Sequence, residues 1–215
     1  MFFTSLNKDS KYFEINIYML HNILISDNMV TEDGVAWFLM GEGSIRIHVG
    51  KSNYGLRFIA TPEISFYNTE IKLLKEIGKW LDKKKIKHSN YMLKEKGRMD
   101  GGIVTKHTSY QLVIKQINSI ETFLKLIIPY LYGRKKAEAE LLFEAIPIFK
   151  DTKNHLLRKN GKFTNKLNLN KEKERFLNLI KISDKIAGII DRPHIKRIYN
   201  YEYFKNLWGE HEKIA

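Results

Sequence analysis

The chain has 215 residues, with 37 Lys and Arg against 24 Asp and Glu, for a formal charge of +13, and it contains no cysteine. Hydrophobic residues at 43% and aromatics at 12% supply a core and exclude general disorder, while the lack of cysteine excludes disulfide scaffolds, thiolate zinc sites and cysteine nucleophiles. No stretch approaches the roughly 18 uncharged apolar residues of a membrane-spanning helix, and the basic excess favours a polyanionic partner without identifying it.

Residues 1–30 show neither a basic start nor a small-residue cleavage site, so no signal peptide is expected. Their apolar clusters, among them Phe13, Ile15, Ile17, Leu20 and Ile23, have a mixed spacing that fits strand and helix equally. From Thr31 the pattern sharpens. Thr31 or Asp33 caps a helix with an acidic first turn, followed by Val35, Ala36, Trp37, Phe38, Leu39 and Met40, and Gly43 stops it. The helix is short and apolar nearly all round, which implies burial on most sides. Residues 44–49 then alternate as a half-buried strand, with Ile45, Ile47 and Val49 on one face and Ser44, Arg46 and His48 on the other. A turn over 51–55 leads to a second strand from about Leu56 to Tyr67, in which Pro62 implies an edge, bulge or bend. Asn68 caps a helix over 69–81 whose stripe is Leu73, Leu74, Ile77, Trp80 and Leu81.

A polar loop over 94–102 precedes a strand marked by Tyr110, Leu112 and Ile114, with Tyr91 and Leu93 in its hairpin partner. Helices follow from Ser119 through Leu131 and from Lys135 to Ile146, the second stopped by Pro147. The order from Thr31 is α-β-β-α-β-β-α, an α+β half-shell with helices on one sheet face and the other face left to solvent or a ligand. Residues 149–215 read as a basic stretch, a helix over 171–188 and an aromatic end from Tyr199 to Trp208. The expected organisation is an N-terminal segment 1–30, a core 31–148 and a mainly helical extension 149–215.

The apolar helix ends in Gly41-Glu42-Gly43-Ser44, which places a carboxylate where the chain enters a basic strand. Two copies packed side by side bring two Glu42 carboxylates together, and a cation such as Mg²⁺ offsets their repulsion. Gly41 and Gly43 permit close backbone approach. The same residues are equally explained by a buried helix whose glutamate is solvated beyond its end. Arg46 and His48 share a polar strand face with Ser44, and Arg57, Ser65, Tyr67, Ser109 and Gln111 fit that face on the other strands, with Lys51 at the turn. Arg suits guanine and Gln suits adenine when a sheet lies in the major groove. The alternation alone also fits a sheet that faces plain solvent. His48 has no paired ligand, which rejects a zinc reading.

Val35-Ala36-Trp37-Phe38-Leu39-Met40-Gly41-Glu42-Gly43 resembles the nine-residue motif of the LAGLIDADG homing endonucleases. Two further stretches resemble later parts of that family in the expected order. Pro62 to Thr69 before Leu73-Leu74 is similar to its second strand and following helix. Ser119 to Leu142, with Pro129-Tyr130-Leu131 before Arg134-Lys135-Lys136, is similar to its later helix pair. Together they cover about residues 31–146.

The resemblance implies a half-saddle of strands along the DNA major groove, with motif helices paired across a two-fold axis. One motif per chain implies a homodimer through the 33–41 helix on a near-palindromic double-stranded DNA site. The implied activity is that of an intron-encoded, Mg²⁺-dependent, site-specific double-strand endonuclease. The implied location is inside the cell, in prokaryotic cytoplasm or a eukaryotic organelle. Glu42 and the Gly41 carbonyl correspond to the metal ligands, Asn68 to the residue that orients the attacking water, and Arg134 or Lys135 to the basic catalytic group. Asn68 is also well explained as a helix cap, and the basic run as the solvated start of an amphipathic helix. Arginine stabilises phosphate charge but is no general base near neutral pH, which leaves proton transfer to Lys135. Trp37 stands where the family has a glycine, and Met40 where it has an acid. Residues 186–191 imitate the motif but lack its acid-glycine ending, so they read as an ordinary helix end. The rival reading is a non-catalytic nucleic-acid-binding protein on the same fold, an intron maturase acting in RNA splicing or a DNA-binding regulator. Glu42 argues against it, because a binder has no need of a metal carboxylate. An unrelated basic structural protein explains the charge but not the ordered segments.

Overall fold

Thr31 accepts a hydrogen bond from the Gly34 amide on its side-chain oxygen and so opens α1 (Glu32–Glu42). The computed structural model describes residues 30–51, 58–94, 97, 99–100, 103–104, 106–151, 156–159, 162–167, 169–189 and 197–209. The expectations for residues 1–29, for the turn at 52–55, for Arg57 and for residues 190–191 lie outside the described residues.

α1 passes into β1 (Gly43–Lys51) with no loop between them. A Cβ at Gly43 would stand 2.3 Å from Leu39 Cδ1 and 2.6 Å from the Leu39 carbonyl oxygen, so only glycine lets the chain leave the helix here. Then come β2 (Phe58–Asn68), α2 (Ile71–Lys83), β3 (Ser89–Lys94), β4 (Met99–Asp100), β5 (Ile103–Val104) and β6 (Ser109–Ile114). The chain continues through α3 (Ile117–Ile127), a 3-10 turn Ile128–Tyr130, α4 (Gly133–Lys150), β7 (Leu156–Lys159), β8 (Lys162–Leu167), α5 (Leu169–Ile189) and α6 (Tyr201–Gly209). The main sheet is antiparallel with order β1-β2-β6-β3, so the expected α-β-β-α-β-β-α order holds.

Several local expectations are corrected. Pro147 does not stop α4, which runs on to Lys150; the Asp151 amide bonds the Pro147 carbonyl at 3.0 Å and closes the turn behind it. A proline so near a helix end removes one N–H bond without breaking the ladder beyond it. The helix expected from Ser119 through Leu131 is α3 plus the 3-10 turn, and the one expected over 69–81 with Asn68 as its cap starts at Ile71 behind Glu70, so Asn68 bonds the turn before the helix and does not cap it. The polar loop over 94–102 contributes Met99–Asp100 to a small hairpin with Ile103–Val104, and the basic stretch after 150 holds the β7–β8 hairpin. Pro62 sits inside the long central strand, but there β2 has β1 alone as a neighbour, because β6 pairs only with residues 64–68. One side of the strand is therefore an edge, the condition under which proline is tolerated.

The core lies between the sheet and the helices. Ile45, Ile47, Ile64, Phe66, Leu112 and Ile114 point inward against Val35, Ala36, Phe38 and Leu39 of α1, Leu74, Ile77, Trp80 and Leu81 of α2, and Phe123 of α3. Each of the Val, Leu, Ile and Phe side chains among them contributes about 1.5–3 kcal/mol by leaving water. α5 packs on α4 and β1, and its Leu179 and Ile186 enter the same core. The expected boundary at 148/149 therefore falls within the last turn of α4. A second cluster of Phe176, Ile180 and Phe204 lies under Val49, Phe58 and Ala60, the inward residues at the far end of β1 and β2. Phe58 meets Phe204 edge-on at 4.8 Å and Tyr199 at 5.2 Å. Ser183 Oγ donates to the Ile47 carbonyl at 2.9 Å and accepts from Arg197 at 2.8 Å. Asp184 accepts from Arg197 and from the Tyr201 amide, which ties α5 to the start of α6.

Candidate functional site

The tip of α1 is the first place where chemistry gathers. Val35, Ala36, Phe38 and Leu39 are buried, whereas Asp33, Trp37, Gly41 and Glu42 face outward. Among the described residues, a Cβ built on Gly41 meets nothing within 4 Å, so none of them fills the space beside the helix end. One step on, the Gly43 carbonyl accepts from Lys135 Nζ at 3.1 Å. Lys135 also donates to Glu138 Oε2 at 2.8 Å, and Arg134 Nε lies 3.4 Å from Glu138 Oε1. Lys135 and Glu138 are both buried. The N-terminus of α4, opened by Gly133 at φ +52, is thus fastened to the point where α1 becomes β1.

Of the four expected catalytic residues, the structure brings Lys135 to the carbonyl of the residue that follows Glu42, with Arg134 its neighbour in the chain. Asn68 ends β2, the strand that pairs Gly43 with Phe66, so it lies toward the same end of the sheet. Its side-chain oxygen accepts from the Glu70 amide at 2.7 Å, ahead of the α2 helix, which leaves its N–H₂ to donate. Sequence reasoning missed Glu138. Its signal was local: it stands four residues after Arg134 and three after Lys135, the helical spacing at which charges pair. Among the described residues, no three His, Cys, Asp or Glu side chains gather as a metal site. Glu42 and the Gly41 carbonyl are exposed oxygen donors suited to a hard cation, and further ligands at this tip have to come from elsewhere, such as a second copy.

The second place is the face of the sheet opposite the core, which no described helix covers. Ser44, Arg46 and His48 of β1 lie opposite Ser65, Glu63 and Thr61 of β2, and Tyr67 lies opposite Gln111 of β6. Arg46 and His48 reach solvent, and Ser44, Tyr67 and Ser109 are half-buried. Ser65 is fully buried, its hydroxyl donating to Tyr67 Oη at 2.9 Å, and Gln111 donates to the same oxygen at 3.0 Å. These three therefore form a bonded platform beneath the face. Lys51 follows the parity of the inward residues, its ammonium 5.9 Å from the Phe58 ring centroid. Glu63, a second residue that sequence reasoning passed over, sits on this face between Arg46 and Lys115.

At the other end of α1, the Lys84 ammonium bonds Glu32 at 2.6 Å and holds that carboxyl below its ordinary value, and the Thr31 side chain does the same for Asp33. Glu121 is lowered likewise by Lys150 and Lys125.

An antiparallel sheet under helices on one face, charged on the other and entered directly from an apolar helix defines an α+β half-saddle. This is the fold of the LAGLIDADG homing endonucleases. The homing endonuclease I-CvuI, in complex with a DNA target in the presence of magnesium, superposes with a TM-score of 0.58 at 18% identity, over 83% of this chain and 92% of that one. The archaeal intron-encoded homing endonuclease I-Vdi141I, complexed with DNA, gives 0.58 at 11% identity, over 85% and 96%. I-SmaMI, bound to an uncleaved DNA target with calcium ions, gives 0.54 at 13% identity, over 84% of this chain but 49% of that one. No protein-family model and no curated protein matches the sequence. Among the described residues, no helix is long and apolar enough to cross a membrane.

Proposed function

We propose that the protein is a homodimeric, Mg²⁺-dependent, site-specific endonuclease that cuts double-stranded DNA at a long near-palindromic target. The observation that carries this reading is the contact of Lys135 with the Gly43 carbonyl, which joins the Arg134-Lys135 cluster to the Glu42 step across 92 residues of chain. Glu42 and the Gly41 carbonyl supply the oxygen ligands that Mg²⁺ takes. An Mg²⁺ ion held by these oxygens would supply activation of a water and charge to offset that developing on the phosphate. Arg134, whose side chain is 57% exposed, is free to meet a phosphate. Asn68 turns its N–H₂ toward a water. Lys135, held by two acceptors, acts by fixing the α1–β1 step. On the open face, phosphate contacts give affinity, and Arg46 and His48, with Ser44, Tyr67 and Ser109, give sequence preference; Ser65 and Gln111 support Tyr67.

The outer stripe of α1 supports pairing with a second copy. Trp37 is 51% exposed, and its ring centroid lies 6.5 Å from that of Tyr132, itself 64% exposed. Large aromatics left in water beside an open glycine are what a self-associating helix presents. The enclosure of Lys135 by Glu138 favours a second reading, a non-catalytic binder on this fold, maturase or regulator. Incubation with Mg²⁺ and a randomised duplex library, followed by sequencing of cut ends, separates the two. Glu42→Gln is expected to keep DNA binding and abolish cleavage; unchanged cleavage removes Glu42 from the mechanism. Wild-type binding without cleavage selects the second reading. Sedimentation at micromolar concentration is expected to show a dimer, and Trp37→Glu a monomer.

A further inference from the structure

The register that sets Arg46 opposite Glu63, and Ile64 opposite Ile114, brings Lys115, one residue past the end of β6, to the other side of Glu63 from Arg46. Glu63 is only 5% exposed. Its Oε1 accepts from Arg46 Nε at 2.9 Å and from Nη2 at 2.5 Å, and its Oε2 lies 3.3 Å from Lys115 Nζ. A carboxylate buried on a face that meets phosphates is a poor choice for strength alone. Its desolvation is costly, apolar residues build a sheet as well, and its charge opposes the approach of a polyanion.

What the carboxylate provides is geometry. A guanidinium carries five N–H donors in one plane. Two of them end on Oε1, which fixes that plane, and three remain on a side chain that is 47% exposed. A fixed fork can match O6 and N7 of guanine, whereas a loose arginine takes any phosphate within reach. Glu63 itself is buried with both oxygens turned to these cations, which sets it back from the base edges.

We infer that Glu63 is a specificity-determining residue: it fixes the Arg46 fork, offsets part of the Arg46 and Lys115 charge, and so turns two phosphate-binding cations into a reader of one guanine-containing base pair per half-site. This rests on the double-stranded DNA reading proposed above. The test is selection of bound sequences from a randomised duplex library by the full-length wild type, Glu63→Gln, Glu63→Asp and Arg46→Ala. Discrimination at one G·C pair is expected to fall from roughly 10–100-fold to near none in all three variants, with the other positions unchanged. Glu63→Gln, which removes the charge, should also bind random DNA more tightly, with a salt slope steeper by up to about one. Glu63→Asp keeps the charge and loses only the reach, so its slope should stay at the wild-type value. Thermal melts by circular dichroism show which variants fold, and either Glu63 variant alone is enough to decide the question of base preference. Retained preference at every position, or a uniform loss across the site, overturns the inference while leaving the DNA reading intact. A wild type that enriches no sequence overturns the DNA reading and this inference with it.

Discussion

On the helix side of the sheet, Ile45, Ile47, Ile64, Phe66, Leu112 and Ile114 are at most 4% exposed and all apolar. On the other side, Glu63, Ser65 and Gln111 are polar and at most 9% exposed, with Val113, opposite Ser65, the apolar exception. The first set is held by area removed from water, which tolerates any partner of suitable shape. The second set is held by named donors and acceptors, Arg46 on Glu63 and Ser65 and Gln111 on Tyr67, so each depends on one neighbour. An oily face makes the fold secure. A bonded polar face can stay ordered without closing itself to a ligand, and its outermost groups keep donors to spare.

Truncation separates the two modes most sharply in the core. Phe66→Ala removes a ring packed against Phe38 and Phe123 and should lower the unfolding free energy by about 4 kcal/mol in denaturant titrations. If the loss is under about 1 kcal/mol, the inward face is not the principal source of stability. Next in size is Glu138→Ala, which leaves the Lys135 ammonium buried with only the Gly43 carbonyl. It should cost about 3 kcal/mol, and Lys135→Met in the same chain should recover most of it. On the open face, Tyr67→Phe strips the acceptor from Ser65 and Gln111 and should cost about 1–2 kcal/mol, with no change in the denaturant slope.

Smallest of all is the surface electrostatic contribution, read from pH. Glu32 is held below its ordinary value of 4.5, chiefly by its hydrogen bond to Lys84. A depressed carboxyl adds stability above its unfolded value, and that stability is lost as pH falls through the folded value. Lys84→Ala should therefore be less stable than wild type by a few tenths of a kcal/mol at neutral pH, with the gap closing in acid below about pH 4. A gap that persists in acid assigns the effect to Lys84 packing on Trp80, whose ring centroid lies 5.8 Å from the ammonium.

What could be read from the sequence was whatever is settled within a few residues. The Thr31 cap, the glycine stop at Gly43 and the alternation of residues 44–49 are local, and the structure keeps all three. The nine-residue stretch and its two ordered companions carried the fold, because they lie on the elements that build the half-saddle. Pro147 misled, since the rule that proline ends a helix weakens within its last turn. The β7–β8 hairpin had a local signal that the basic stretch obscured: Asn160-Gly161 stands in sequence between its paired ends Lys159 and Lys162, the dipeptide that favours a two-residue hairpin turn. Glu63 escaped notice because it meets Arg46 only through strand register, 17 residues away. The Lys135–Gly43 contact was out of reach for the same reason, with 92 residues between its ends.

The hydroxyl of Ser183 grips the carbonyl of Ile47 from 136 positions downstream. A ribosome making this chain releases the first blade of the saddle early, yet the aromatic lining for its far half arrives only with residues 176–208. Such distant closure slows folding. The young blade waits half-lined until residues 176–208 are made, and completion of the saddle is timed by α5 and α6.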